Sequence, residues 1–159
     1  MAALTEQLSF RHYPLPDSKT HIRLLKVLSV IKTRAIPVHC ELTTYPITEA
    51  PPYRAISYTW GDEAPLASIL VNGQQMDVRL NCEYALRQTS QQTGDGTGDF
   101  HLWIDSICVN QLDNDEKGAQ VALMGEVFKT AIQVVACVGA HGDDSEFLYE
   151  FMRGEKARI

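Results

Sequence analysis

Two apolar runs open the pattern of this chain. Residues 21–30 (HIRLLKVLSV) and 36–47 (IPVHCELTTYPI) are rich in β-branched side chains and alternate partly between apolar and polar positions, a period that suits strands better than helices. They are expected to pair as an N-terminal hairpin. Pro46, Pro51 and Pro52 then interrupt the chain, because a proline cannot donate to a strand ladder and pushes its predecessor toward extended geometry. A new element should begin at Tyr53, with Ala55, Ile56, Ser57 and Tyr58 as a strand that Gly61 and Asp62 end. In residues 69–78 (ILVNGQQMDV) the pair Asn72-Gly73 stands between apolar residues. Both tolerate positive φ, which predicts a two-residue hairpin turn.

Asn81 is expected to cap a helix running to about Gln91, with Cys82, Tyr84 and Leu86 facing inward. The glycine-rich run 91–99 (QQTGDGTGD) reads as a surface loop. Leu102 to Ile104 predicts a short strand. Residues 115–130 predict an amphipathic helix whose apolar face carries Val121, Met124, Val127 and Phe128, with Ala131 continuing the spacing. Residues 132–138 (IQVVACV), ended by Gly139, have the nearly continuous apolar character of a strand buried on both faces. Asp143, Asp144 or Ser145 can cap a last helix bearing Phe147, Leu148 and Phe151. This alternation predicts an α/β fold: a small mixed or parallel sheet flanked by helices and decorated by the two hairpins.

Composition narrows the picture further. A chain of 159 residues, 45% hydrophobic, has room for a single domain, with residues 1–52 as N-terminal strands packed on a core of residues 53–159. Its net charge is -6, with 20 acidic against 14 basic residues, and no Lys/Arg cluster, which argues against nucleic acid as a partner. There is no secretory leader pattern, and no membrane segment of the roughly 18–20 apolar residues that span a bilayer. A cytoplasmic protein is expected. Cys40, Cys82, Cys108 and Cys137 form no C-x-x-C pair, so reduced thiols are expected rather than a zinc ribbon or a disulfide scaffold. The terminal EFMRGEKARI stops just after the start of the last expected helix, as in the front part of a longer protein.

The chemistry-bearing stretch is residues 102–111, LWIDSICVNQ. Asp105 follows an apolar strand and should lie at the carboxyl edge of the sheet, where α/β folds place ligands. If the strand through Tyr58 is parallel to it, Trp60 and Asp62 join Asp105, Asn110 and Gln111 in a cup suited to a polar ring or a ribose. The commoner alternative is that Asp105 and Asn110 cap their own loop, Trp60 is core and Gln111 satisfies a buried carbonyl. Cys108 as a nucleophile would need His101 or His141 as base and Asp105 to orient it, but its β-branched neighbours favour a core thiol. His39 and Cys40 point to opposite faces of a strand, and no metal site is expected. Glu116 and Gln120, one turn apart, either stabilise their helix end and the loop before it or look into the cup. Glu146 and Glu150 are also a turn apart, and either reach the sheet edge or are solvated surface.

Tyr53, Ala55, Ser57, Tyr58, Trp60 and Gly61 fit a Y-x-A-L-S-Y-x-W-G motif, with Ile56 for Leu. Leu102, Trp103, Ile104, Asp105, Cys108, Asn110 and Gln111 fit L-W-I-D-x-x-C-I-N-Q, with Val109 for Ile. Asp113, Glu116, Gln120, Val121, Met124, Ala131 and Gly139 continue in register. From Tyr53 to Gly139 the chain resembles the fungal heterokaryon incompatibility (HET) domain, departing at Lys117 (usually Arg) and Cys137 (usually Trp). The resemblance implies a role in fungal nonself recognition that promotes programmed cell death, through self-association or binding to other cell-death signalling proteins. The HET domain is in turn distantly similar to the Toll/interleukin-1 receptor (TIR) domain, and YRAISY fits the first TIR strand. That likeness implies a TIR-like, Rossmann-like sheet and, as an alternative activity, an NAD glycohydrolase. One glutamate would then stabilise an oxocarbenium-like ribosyl cation as nicotinamide leaves. By position the glutamate is Glu150, then Glu146, with Glu116 as the remaining candidate, although the tryptophan-cysteine neighbourhood expected around it is missing. The residues facing a ligand would be Ser57, Tyr58, Trp60, Asp62, Asp105, Asn110, Gln111 and Gln120. NAD would be a substrate, and no cofactor is required. An inactive accessory member is the third reading, since the companion domains usual in the family are not visible.

Overall fold

The computed structural model describes residues 9–29, 33, 35–91 and 100–137. His141, the expected last helix with Glu146 and Glu150, and residues 92–99 of the glycine-rich run lie outside the described residues. Seven strands form one mixed sheet: β1 (His21–Ser29), β2 (His39–Pro46), β3 (Tyr53–Tyr58), β4 (Leu66–Val71), β5 (Gln74–Arg79), β6 (His101–Trp103) and β7 (Gln133–Cys137). Their spatial order is β5-β4-β2-β1-β6-β3-β7. Three helices accompany them, α1 (Leu80–Gln91), the one-turn α2 (Asp105–Cys108) and α3 (Asn114–Thr130).

β1 is antiparallel to both of its neighbours, β2 and β6. Lying mid-sheet, it is covered on both faces, and Ile22, Leu24, Leu25 and Val27 are all buried. β6, β3 and β7 run parallel to one another. β4 and β5 pair antiparallel from Leu66↔Arg79 to Val71↔Gln74. Asn72 and Gly73 join them at φ of 51° and 76°, the left-handed region such a turn requires. Asn72 also accepts the Leu42 N–H at 2.9 Å, which pins the turn to β2.

Three expectations are corrected. α1 starts at Leu80, and Asn81 is its second residue rather than its cap. The Asn81 side chain instead donates to the Thr59 carbonyl at 2.9 Å, tying the helix to the exit of β3. In α3 the side chain of Asp113 accepts the N–H groups of Asp115 and Glu116, and the helix is rotated from the face its apolar residues suggest. Val121 is exposed, whereas Glu116 and Gln120 are buried. The cause is that both polar groups find partners inside, Glu116 on Arg23 and Gln120 on the carbonyls of Ser18 and His21. β7 is the outermost strand beside β3 in the described sheet, not one buried on both faces: Ile132 and Val134 are exposed and Cys137 is buried.

Candidate functional site

β3 and β6 are parallel, with Ala55 opposite Trp103, so their carboxyl ends open on one edge. From β3 the chain continues through Trp60. From β6 it passes Ile104 into α2. The two exits are stitched together by side chains. Tyr58 donates its hydroxyl to Ser106 Oγ at 2.6 Å, and Ser106 donates on to Cys82 Sγ at 3.4 Å. The Trp60 indole N–H is shared between the Asp105 carboxylate oxygens at 3.2 and 3.1 Å. Asp105 Oδ1 accepts the Ser106 N–H at 2.7 Å, and Gln111 Nε2 donates to the Asp105 carbonyl at 3.0 Å. Asn110 Oδ1 accepts the Leu112 N–H at 3.2 Å.

Electrostatics follow from this enclosure. Burial pushes the Asp105 carboxyl above its ordinary value, against the opposing hydrogen bonds from Trp60 and the Ser106 amide. It likewise raises the Tyr58 phenol, and lifts Cys82 to about 11 and Cys108 to about 12. Both thiols are protonated at neutral pH, and a protonated buried thiol is no nucleophile. Cys108 sits fully buried against Ile104 N–H and the Leu102 carbonyl, as a small core residue does.

Above these bonds lies a cleft of about 300 Å³. Tyr58, Trp60, Ser106, Asn110 and Gln111 line it, together with Phe10 and His12 from the N-terminal segment and the side of β5 that carries Met76 to Arg79. Arg79 stacks its guanidinium 5.1 Å from the centre of the Trp60 ring and donates to the Gly61 carbonyl at 2.8 Å. Of the ligand-facing residues expected from the sequence, Tyr58, Trp60, Asn110 and Gln111 border the cleft, and Asp105 anchors Trp60. Ser57 is exposed on β3 and Asp62 is exposed beside a separate depression of about 80 Å³. Gln120 is buried on the far elements and holds Ser18 and His21.

Glu116 is likewise inside, paired with Arg23 and accepting the Asn110 N–H at 2.9 Å. Burial raises its pKa, but the Arg23 guanidinium and the Asn110 amide outweigh that, and the net direction is down. It ties the start of α3 to the preceding loop, and it does not line the cleft. Sequence reasoning passed over Phe10, His12, Arg23 and Arg79. Only Arg23 carried a signal, as a charge set between Ile22 and Leu24 in an apolar run, which calls for a counter-charge where it is buried. Among the described residues no group of three or more His, Cys, Asp or Glu side chains is placed to hold a metal, and no helix is long and apolar enough to cross a membrane.

The family model for heterokaryon incompatibility protein (HET) matches residues 53–158. This chain belongs to the HET family. It is also 36% identical over 146 residues to heterokaryon incompatibility protein 6, OR allele, of Neurospora crassa, an alignment that covers 86% of this chain and 21% of that protein. The HET chain thus spans about a fifth of the length of the curated relative it matches. No solved structure matches it. The HET match begins at Tyr53, so β1, β2, Phe10, His12 and Arg23 lie upstream of it although they help to build the site.

Proposed function

We propose that this chain is a module of fungal nonself recognition that promotes programmed cell death by associating with itself or with other cell-death signalling proteins. Family membership supplies the biological setting. The observation that carries the mode of action is that two carboxylates of the matched region are engaged in holding structure: Asp105 fixes Trp60 and Ser106, and Glu116 fixes Arg23 and Asn110. Such an arrangement presents a shaped, rigid surface rather than a free acid or base.

The test is to express the chain in one of two compatible fungal strains and to score viability of the fused cells. Death that is lost when Trp60→Ala breaks the anchor, with protein levels unchanged, is expected. Unimpaired viability with the intact protein overturns the reading.

A second reading, the TIR-like NAD glycohydrolase, is favoured by one observation: the cleft lies at the carboxyl ends of parallel strands in the trio β6-β3-β7, the position where α/β sheets take ligands. Incubating concentrated protein with NAD and following free nicotinamide decides it. Release abolished by Glu150→Gln supports an enzyme, and no release from assembled protein refutes one.

A further inference from the structure

We propose that the cleft binds a small, planar, uncharged heteroaromatic ring that carries an N–H donor, and that His12, upstream of the HET-matched region, is the residue that accepts from that donor. The argument starts with the imidazole. His12 Nε2 lies 2.6 Å from the Ile107 carbonyl oxygen. A carbonyl can only accept, so in the neutral ring Nε2 carries the proton and Nδ1 is a bare acceptor. Burial lowers the His12 pKa against the opposing pull of the Ile107 bond, which keeps the ring neutral near pH 7. Phe10 packs edge-on against the imidazole, with ring centres 4.9 Å apart. Nδ1 makes no hydrogen bond with the described residues, while the ring itself borders the cleft.

The rest of the lining specifies the ligand. Phe10, Tyr58 and Trp60 give aromatic walls that suit a flat body. Asn110 has its side-chain oxygen occupied by Leu112, which leaves its NH₂ to serve a ring nitrogen. Gln111 Oε1 is a second acceptor without a partner among the described residues. The fully charged side chains on the lining are Asp77 and Arg79, of opposite sign, and Arg79 is already committed to Gly61 and to the Trp60 face. A phosphate or carboxylate would meet no uncommitted cation there. At about 300 Å³ the cleft is at the small end of ligand pockets, a size for one ring system rather than a whole dinucleotide.

Calorimetric titration of the full chain with 9-methyladenine and with 9-methylpurine, which differ only in the exocyclic amine, tests it. The amine is expected to tighten binding about 10-fold, the worth of one hydrogen bond to an otherwise unmet acceptor. His12→Phe, which retains an aromatic ring, should abolish that preference. Equal affinity of the wild-type chain for both probes, or no binding of either at millimolar concentration, overturns the proposal. So does a preference that survives in His12→Phe, and so does AMP binding more tightly than adenosine. The wild-type comparison stands even if the variant fails to fold.

Discussion

Replacing Glu116 with glutamine removes one charge from a sealed ion pair and changes almost nothing in shape. Arg23 and Glu116 are 2% and 5% exposed. Their contact is a two-pronged fork, with Nη1 2.5 Å from Oε1 and Nη2 3.0 Å from Oε2, the strongest geometry for such a pair. The same guanidinium donates to the Cys108 carbonyl at 2.9 Å and the Tyr13 carbonyl at 2.6 Å. In Glu116→Gln the amide NH₂ must face a donor, and Arg23 stays buried without its counter-ion. Breaking one side of a buried pair costs about 3–5 kcal/mol, a large share of the roughly 5–15 kcal/mol that holds a domain together. Because both groups are almost completely enclosed, no discount for solvent screening applies. Urea unfolding followed by tryptophan fluorescence reads this as a midpoint lowered by on the order of 1–3 M, given typical slopes. The double change Arg23→Met with Glu116→Leu should be less damaging than Glu116→Gln alone, since two apolar side chains leave no orphaned charge. A Glu116→Gln chain within about 1 kcal/mol of the wild type would refute the reasoning.

Two further outcomes follow from the same structure. Because the folded-state pKa of Glu116 is depressed below the ordinary 4.5, its contribution is fully present above that pH and is lost as pH falls through the lower folded value. Unfolding free energy measured from pH 6 to 3 should therefore drop more steeply for the wild type than for Glu116→Gln; Asp105, shifted upward, opposes this in both chains and cancels in the comparison. Parallel slopes would contradict the assignment. Gly61 and Gly73 have nearly the same φ, 75° and 76°, but a Cβ on Gly61 would come within 2.5 Å of Asn81 Nδ2, whereas one on Gly73 meets nothing within 4 Å. Thermal melting should show Gly73→Ala losing about 1 kcal/mol from backbone strain alone, and Gly61→Ala losing clearly more as it also pushes Asn81 from Thr59. Equal losses would mean that the Asn81 contact contributes nothing.

Local chemistry was legible in the sequence wherever a residue type admits few alternatives. Asn72-Gly73 required positive φ, and the prolines before Tyr53 announced a fresh strand. The meeting of Trp60 with Asp105 was legible too, because it follows once two apolar strands that end in polar residues are set parallel. What was hidden depended on long-range partners. Nothing near Glu116 in the chain names Arg23, 93 positions away, and apolar periodicity misplaced the inner face of α3 because that face is partly polar. β7 misled for the opposite reason: its composition suits a central strand, but composition does not say where in a sheet a strand is placed. Phe10 and His12 sit in an irregular segment with no period to reveal them, and they enter the site only because Phe10 N–H bonds the Gln75 carbonyl at 2.7 Å and His12 reaches Ile107.

The central position of β1 also bears on how such modules can be passed between genes. A recombination breakpoint at the codon for Tyr53, where the HET match begins, would deliver a chimera lacking the strand that β6 pairs with on its β1 side and the cation that neutralises Glu116. The block that folding requires is longer than the one the family model matches, and it begins no later than His21. An exchange that preserves folding must therefore carry β1 along with the motif-bearing half, or bring in a strand that already supplies an arginine at the same register.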